Sequence, residues 1–402
     1  MVPRILCIGT GEEARAALTR LHSSAPGIDI MAPKAVHRVI YASGIDPRAA
    51  NIIKQEMLSR GGEAATPWEA LKMEACTVDV ILMGTLRQYD ELCNKLERQP
   101  FGLKALAKQV RLTLVNYEMK PPVLHAGRFT LDLSAKTHVM GILNITPDSF
   151  SDGGKFFDFG HALEQARRMV EDGADIIDIG GESTRPGADP VALDEEIRRT
   201  IPLIQQLVQE INIPISIDTY KAEVAEAALN AGAVIINDIN GLRDEKMLAL
   251  AAERNVPAII MHMQGTPRDM QQNPTYGDVA AEIIDWLGNR AEKAIEAGLA
   301  PENVLVDPGL GFGKTVEHNL EILRRLSEFK SLGHPIVLGT SRKAFIGTIL
   351  DAQPDERAEG TLATVVYGVD RGANIVRVHD VKQAARACAV VDAIKRETAR
   401  DA

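Results

Sequence analysis

The stretch HVMGILNITPDSFSDGG (His138–Gly154) begins as a short apolar strand and continues without a break into hydrogen-bonding side chains and glycines. Seven more β-branched apolar runs follow it, and a segment of helical periodicity such as ALEQARRMVEDG comes after each run. Near-continuous apolar strands are typical of a parallel sheet that is covered on its outer side. The seven runs are ADIIDIG, PISIDT, AVIINDI, PAIIMHM, NVLVDPG, PIVLGTS and NIVRVHD.

Eight strand–helix units therefore lie between about residues 138 and 398. This matches the size of a (β/α)8 TIM barrel, which typically has about 250 residues. An open doubly wound sheet is the structural alternative, but the even spacing and the lack of a clear topological break favour the barrel. We predict an α/β chain whose TIM barrel occupies residues 138–402.

The chain before the barrel is predicted to hold a smaller α/β domain over residues 1–120, of unknown role. Strand-like runs (ILCIG, VHRVIY and VDVILMG) alternate there with helix-like segments. Pro121 and Pro122 stop a preceding helix, so residues 121–137 are predicted to be a linker and a cover for the N-terminal end of the barrel. The sequence RILCIGTGEEA weakly resembles a dinucleotide-binding turn, a pattern that more often marks an ordinary strand–helix turn.

Composition argues against several classes of protein. The 402 residues are 45% hydrophobic and 25% charged, and no apolar run approaches the roughly 18 residues that a membrane span requires. The net charge of −10 argues against nucleic acid as a partner. The four cysteines form no CxxC pair, which fits a reducing compartment. We expect a cytoplasmic protein that binds neither nucleic acid nor membrane.

Polar side chains stand at or just past the ends of the apolar runs. Active sites of TIM barrels lie on the face where the carboxyl ends of all eight strands meet. A single aspartate after a strand is often only the N-cap of the next helix, but caps need no Arg, Lys or His beside them. The whole ring therefore predicts an active site, and its members are Asn144, Asp178, Glu182, Asp218, Asn237, Asp238, His262, Asp307, Ser341, Arg377, His379 and Asp380.

Two carboxylates and an amide in this ring suit a flat heterocycle. Asp218, Asn237 and Asp307 can accept hydrogen bonds from ring N–H and amino groups, and the amide supplies both polarities. Lys343 adds a donor for a ring carbonyl or nitrogen.

A second set of residues is cationic and suits an anion. Arg185 follows the second strand, and Arg377 and His379 follow the eighth. Barrel phosphate sites commonly use the loops after strands seven and eight, and arginine binds phosphate through two parallel hydrogen bonds. Asn144, after the first strand, is expected next to them and could contact the same anion or a bridging Mg²⁺.

The run GLGFGKT (Gly309–Thr315) resembles a phosphate-binding P-loop. The GxxxxGK pattern, however, requires glycine at the position of Pro308, so the match fails.

Eight sequence blocks, in order, closely resemble dihydropteroate synthase over about residues 138–398. This resemblance implies a TIM-barrel enzyme that joins 4-aminobenzoate to 7,8-dihydropterin-6-ylmethyl diphosphate with Mg²⁺ present and releases pyrophosphate. The family usually forms homodimers through barrel helices, which the resemblance implies here as well. The blocks are MGILNITPDSFSDGG, DIGGESTRPGA, SIDTYKAEVAEAAL, IINDINGL, MHMQGTP, DPGLGFGKT, GTSRKAFIG and VRVHDV.

The resemblance also implies roles for single residues. In the family the loops after the first two strands close over the substrates, which would bring Phe150 onto the benzoate ring and Asp152 near the reacting methylene. Asp152, Lys343 and Asp218 are thereby implied to be catalytic. The implied binding residues are Asp218, Asn237, Asp307, Lys343, Met263 and Phe312 for the pterin; Phe150, Thr184, Arg185, Pro186 and Ser341 for the aminobenzoate; and Asn144, Arg185, Arg377 and His379 for the pyrophosphate, with Asn144 also at the metal.

Two other functions compete with this interpretation. A pterin-binding corrinoid methyltransferase shares the barrel and the Asp/Asn/Asp set, but it needs neither a pyrophosphate site nor an aminobenzoate pocket. A non-catalytic pterin-binding protein would have lost loop or anion-binding residues. The STRPG, SRK and RVHD sequences and the complete first loop therefore favour the synthase.

Overall fold

The computed structural model describes residues 2–72, 76–145, 159–183 and 190–395 of the chain. It divides into two compact units, residues 1–119 and 120–402. None of the described helices combines the length and the apolar character that crossing a membrane requires.

The first unit is a small α/β domain. Its three-stranded sheet has the order β1-β3-β2, with antiparallel pairs. One face of the sheet packs on a core that includes Ile53, Met57 and Leu92, and the Tyr89 hydroxyl donates to the Leu82 carbonyl at 2.8 Å. Its elements are α1 (Gly11–Thr19), α2 (Ala25–Ala35), β1 (His37–Ile45), α3 (Pro47–Ser59), β2 (Glu63–Ala65), α4 (Trp68–Lys72), β3 (Val78–Thr85), α5 (Leu86–Leu96) and α6 (Leu103–Glu118).

The strand predicted at ILCIG is wrong. Residues 2–9 belong to no strand, and Ile5 is 94% exposed. An apolar run becomes a strand only where a neighbouring strand forms backbone hydrogen bonds with it. Among the described residues, no strand pairs with the ILCIG run. A dinucleotide-binding turn has to follow a strand, so Gly9 and Gly11 at the start of α1 lack the required context.

The second unit is a closed barrel of eight parallel strands, as predicted, with the order β10-β11-β12-β13-β6-β7-β8-β9. An antiparallel hairpin precedes it, formed by β4 (Val123–Ala126) and β5 (Phe129–Asp132). The barrel strands are β6 (His138–Asn144), β7 (Ile176–Gly180), β8 (Ile215–Asp218), β9 (Ile235–Asp238), β10 (Ala258–Met261), β11 (Val304–Asp307), β12 (Ile336–Leu338) and β13 (Ala373–Val378).

Helices cover the outside of the barrel. Their apolar faces and the outward residues of the strands form two large buried clusters, which explains why the strand sequences are apolar on both faces. The helices are α7 (Phe159–Glu171), α8 (Leu193–Glu210), α9 (Ala222–Ala231), α10 (Glu245–Arg254), α11 (Val279–Glu296), α12 (Val316–Arg324), α13 (Ala344–Leu350), α14 (Ala358–Asp370) and α15 (Val381–Lys395).

The amino-terminal end of the barrel is filled by apolar side chains. Inward residues from seven strands meet Leu124 and Ala126 of the hairpin, and Leu131 and Leu133 complete the cluster. The hairpin thus shields this end of the barrel from water. The seven inward residues are Met140, Ile176, Ile235, Ile259, Leu305, Val337 and Ile375.

Candidate active site

Polar groups replace the apolar ones two residues further along four of these strands. Because side chains alternate between the two faces of a strand, a position two residues later points inward again, nearer the carboxyl end. Ile176 is thus followed by Asp178, Ile235 by Asn237, Leu305 by Asp307 and Ile375 by Arg377. Asp218 ends β8 in the same layer and, like Asp178, Asn237 and Asp307, is buried.

Arg377 joins two of the buried carboxylates. Its Nε donates to Asp178 Oδ2 at 2.6 Å, and its Nη2 donates to Asp218 Oδ2. Asn237 Nδ2 also donates to Asp178 Oδ2, at 3.0 Å. Asp178 therefore fixes the orientation of both Arg377 and Asn237. The sequence places Asp178 in the ring of polar residues but gives no signal for this orienting role.

Burial shifts the protonation of these carboxyl groups. It raises the pKa of Asp218 to about 7, although the Arg377 guanidinium acts in the opposite direction. Burial also raises the pKa of Asp307, which accepts the Gly309 N–H at 2.7 Å. Asp218 Oδ1 is buried and has no hydrogen-bond partner among the described residues. A buried acceptor of this kind is costly unless a donor reaches it, so the site suits a ligand with N–H groups.

Lys343 and Phe312 form one wall of the site. Lys343 Nζ lies 4.1 Å from the centroid of the Phe312 ring, a cation–π contact. Burial and the nearby Arg377 lower the pKa of Lys343 to about 8. Met263 and Phe312 are both buried in one small apolar cluster, so the predicted pterin residues include an apolar surface as well as polar groups.

A glycine at 309 lets the loop before Phe312 approach β10 closely. Gly309 has a φ of +66°, and a Cβ there would lie 1.9 Å from the His262 carbonyl oxygen. Any side chain would therefore push the loop away from the strand. The glycines of GLGFGKT thus serve close packing beside the site.

Lys314 is a buried group that the sequence argument set aside with the P-loop pattern. Its Nζ lies 3.0 Å from His262 Nδ1 and donates to the Phe312 carbonyl at 2.9 Å. Burial and Lys314 lower the pKa of His262 to about 2, so the imidazole is neutral and Nδ1 can accept. Lys314 thereby connects the Phe312 loop to the strand end beside Met263.

Ser341 and His379, predicted for different substrates, lie together. Ser341 Oγ accepts the His379 backbone N–H at 3.1 Å and lies 2.9 Å from His379 Nδ1. Burial, together with Arg342 and Arg377, lowers the pKa of His379 to about 3. The ring is therefore neutral at pH 7. If Nδ1 accepts from Ser341, Nε2 carries the proton and can donate it to an anion.

Several of these groups line a cavity of about 640 Å³, within the range of small-molecule binding sites. The predicted pterin residues Asn237, Met263 and Asp307 are buried and are not on the cavity wall. Five residues with predicted roles, Phe150, Asp152, Thr184, Arg185 and Pro186, lie outside the described residues. The residues with predicted roles that line the cavity are Asn144, Asp218, Phe312, Ser341, Lys343, Arg377 and His379. Glu182 and Ser183 line it as well.

Comparison with known proteins agrees with this geometry. The family described as pterin binding enzyme matches residues 140–379. Dihydropteroate synthase from Synechocystis is 52% identical over 279 residues, which are 69% of this chain and 96% of that protein. A probable bifunctional folylpolyglutamate synthase/dihydropteroate synthase from Haloferax volcanii is 42% identical over 384 residues, covering 93% of this chain and 45% of the relative. That match includes most of the first unit.

A solved structure has the same barrel. Dihydropteroate synthase from Xanthomonas albilineans, crystallised with 4-aminobenzoic acid, is 42% identical and superposes with a TM-score of 0.65. The superposition covers 68% of this chain and 98% of that one. Sequence blocks, barrel topology and matched relatives agree, and the chain belongs to the dihydropteroate synthase family of pterin binding enzymes.

Proposed function

We propose that this chain condenses 4-aminobenzoate with 7,8-dihydropterin-6-ylmethyl diphosphate to give 7,8-dihydropteroate and pyrophosphate. The observation that carries the proposal is the buried polar layer at the carboxyl end of the barrel. Carboxylates at 178, 218 and 307 stand beside an amide and a lysine, and two of them, Asp178 and Asp218, each have a buried oxygen without a hydrogen-bond partner among the described residues. This donor and acceptor set is complementary to a pterin ring.

The pterin is held by groups from four strands in this proposal. Asp218, Asn237 and Asp307 bind ring N–H and amino groups, and Lys343 donates to a ring carbonyl or nitrogen. Phe312 and Met263 contact the faces of the ring. Asp218, Asn237 and Asp307 stand on strands of the closed barrel, so they are oriented before the ligand arrives. Lys343, Phe312 and Met263 belong to the loops that follow β12, β11 and β10.

The other end of the substrate meets cationic and neutral donors. Arg377, His379 and Arg185 bind the diphosphate, while Thr184, Pro186 and Ser341 contact the aminobenzoate. In the reaction a carbon–oxygen bond to the diphosphate breaks and a carbon–nitrogen bond to the aminobenzoate amine forms. The amine then loses a proton to solvent or phosphate, so no dedicated base is required.

Departure of the diphosphate before the amine attacks would leave a cation on the pterin methylene. Asp152 near this carbon would stabilise the positive charge, and Phe150 over the benzoate ring would exclude water. An Asp152→Asn variant that keeps full turnover would rule out this role for Asp152.

The proposal includes Mg²⁺, which would bind together with the diphosphate of the substrate. Among the described residues, no three His, Cys, Asp or Glu side chains are grouped in a way that could hold a metal. Asn144 lines the cavity and offers one neutral oxygen, which Mg²⁺ accepts together with waters and phosphate oxygens. These residues fit an ion brought in by the substrate, and such an ion would neutralise charge on the leaving diphosphate.

We also propose that two copies pair through the barrel helices. Apolar side chains on α13, α14 and α15 are exposed, and pairing would remove them from water. Light scattering on the purified chain measures the mass directly. The exposed side chains on these helices are Ile349, Leu350, Val366, Tyr367, Val390 and Ile394.

The cytoplasmic location inferred from the cysteines stays a prediction.

The decisive experiment supplies the purified chain with dihydropterin methyl diphosphate, 4-aminobenzoate and Mg²⁺ and follows dihydropteroate by mass. A second sample without aminobenzoate monitors pyrophosphate. We expect product in the first sample, and pyrophosphate in the second would support departure before attack. Binding of a methyl-tetrahydrofolate without formation of either product would instead identify a different kind of pterin-binding protein.

A further inference from the structure

Lys221 is a partly buried lysine close to the site that has no role in the proposed chemistry. It lies three residues after Asp218 and directly precedes α9. Its side chain is 17% exposed. Its Nζ donates to the carboxylates of Glu182 and Glu196 and, at 2.8 Å, to the carbonyl oxygen of Val191.

The three acceptors belong to the two ends of one connection. Glu182 stands two residues after β7, whereas Val191 precedes α8 and Glu196 lies in its first turn. Lys221 therefore ties the start of the β7–α8 connection to its end. The residues between these ends, 184–189, lie outside the described part of the chain.

Other contacts hold the start of the connection against α8. Arg199 Nη1 donates to the Gly181 carbonyl at 3.0 Å. A Cβ on Gly181 would lie 2.8 Å from Glu196 Cγ and from Thr200 Cγ2, so this backbone packs directly on the helix. Glu196 and the backbone at Gly181, which precedes Glu182, are therefore in close contact.

Glu182 and Ser183 line the cavity, so the connection forms part of its wall. The Tyr220 hydroxyl donates to Glu182 Oε1 at 2.8 Å, which leaves the other carboxylate oxygen to Lys221. Among the hydrogen bonds of the described residues, none joins the Lys221 side chain to Asp218, Asn237 or Asp307. The hydrogen bonds of the Lys221 side chain therefore stabilise the β7–α8 connection and do not involve the residues proposed to bind the pterin.

The positive charge of Lys221 compensates the two carboxylates that it contacts. Burial alone would lower its pKa, but its hydrogen bonds to Glu182 and Glu196 leave the pKa raised, so the ammonium keeps its proton. Glu196 is 1% exposed. Without the lysine, two nearby carboxylates would remain with their charge uncompensated.

We propose that Lys221 is a positioning residue that sets the affinity for 4-aminobenzoate by holding the cavity wall formed by Glu182 and Ser183 against the start of α8. The inference rests on the proposed function, in which part of the 4-aminobenzoate contacts come directly after Ser183 and the others are Phe150 and Ser341. Lys221 thus has a different role from the pterin residues, although it lies only three positions after Asp218 in the chain.

The test compares Lys221→Met with Lys221→Arg, Tyr220→Phe and Lys246→Met in the full chain. We expect Lys221→Met to raise the KM for 4-aminobenzoate roughly 10- to 100-fold, the effect of losing hydrogen bonds to charged groups. The KM for the pterin diphosphate should rise less, because Arg185 is its only proposed contact on the β7–α8 connection. Lys221→Arg should recover most of the loss because it keeps the charge and several donors.

Tyr220→Phe should have a smaller effect than Lys221→Met, since it removes only one of the two hydrogen bonds to Glu182. Lys246→Met is the matched control, because Lys246 is 76% exposed and pairs with Glu223 on the surface. Equal increases in both KM values, or none in either, would overturn the inference, as would a failure of Lys221→Arg to recover activity.

Hydrogen exchange separates this inference from the proposed function. Amides at 181–183 and 190–196 should exchange faster in Lys221→Met than in Lys246→Met, whether or not the chain turns over substrate. Unchanged exchange would overturn the positioning role. Faster exchange in Lys221→Met, together with a wild-type chain that forms no dihydropteroate, would reject the proposed function and keep the positioning role of Lys221.

Discussion

The two ends of the barrel are built from the same strands but differ in polarity and in buried charge. At the amino-terminal end seven inward residues are apolar and are sealed by the β4–β5 hairpin. One inward position further along, the layer contains Asp178, Asn237, Asp307 and Arg377. The first end stabilises the fold, and the second concentrates buried charge where a ligand can reach it.

This difference teaches how the fold tolerates its site. A buried carboxylate is unfavourable unless it is paired, and the layer at the carboxyl end pairs its charges only in part. The apolar end, two residues away on each strand, contributes favourable burial without such groups. Substitutions at the two ends should therefore affect different measured quantities.

The largest effect is expected from Asp218→Asn. The variant removes a charged acceptor from the pterin side and one partner of Arg377. Charged hydrogen bonds are worth about 1.5–3 kcal/mol each, so kcat/KM for the pterin diphosphate should fall on the order of 10²-fold or more. Steady-state kinetics at saturating 4-aminobenzoate measures this loss.

Asp238→Asn is the control for Asp218→Asn. Asp238 is also buried at a strand end, but its carboxylate caps the backbone N–H groups of Asn240 and Leu242, both at 2.8 Å. This variant should lower stability and leave kcat/KM within a few-fold. If it matched Asp218→Asn in activity loss, the special place of Asp218 would be disproved.

The pH dependence should show two limbs. Burial raises the pKa of Asp218 to about 7, so the carboxylate that accepts from the pterin is lost as the pH falls below that value. Burial lowers the pKa of Lys343 to about 8, so its ammonium is lost as the pH rises above it. We expect kcat/KM to be bell-shaped, highest between these values, and to fall about tenfold per pH unit outside them.

Between pH 5 and 7 the Asp218 carboxyl should affect folding stability and kcat/KM in opposite directions: stability falls as the pH rises, whereas kcat/KM increases. A raised carboxyl pKa favours the folded state at low pH, and this contribution is lost as the pH rises through about 7. Urea unfolding between pH 5 and 8 should show this trend in the wild type and a weaker one in Asp218→Asn. The same slope in both proteins would contradict the assignment.

A smaller effect on function is expected at the opposite end. Leu124 is fully buried in the hairpin cluster. Leu124→Ala should reduce the free energy of unfolding by about 2–5 kcal/mol because it leaves a cavity. At a temperature where the variant is folded, kcat/KM should equal the wild-type value. A specific loss of pterin affinity would show that the two ends are coupled.

Sequence patterns predicted the barrel well because each strand is apolar on both faces and ends in polar residues. The ILCIG run misled because a strand also needs a partner, which apolar character alone does not supply. The polar ring was visible in the sequence, but the contacts within it were not. Asp178 orients Arg377 across a separation of 199 residues, and Lys221 reaches Glu182 across 39. Such contacts depend on the closed barrel.

The most direct test of the contrast between the two ends uses neighbouring inward positions of β11. Leu305→Ala and Asp307→Asn are compared with the wild type for the free energy of unfolding and for kcat/KM on the same preparations. We predict that Leu305→Ala loses about 2–5 kcal/mol of stability and keeps its activity, whereas Asp307→Asn keeps its stability and loses on the order of 10²-fold in kcat/KM. If both variants lost both quantities together, the division of the barrel into a stabilising end and a catalytic end would be contradicted.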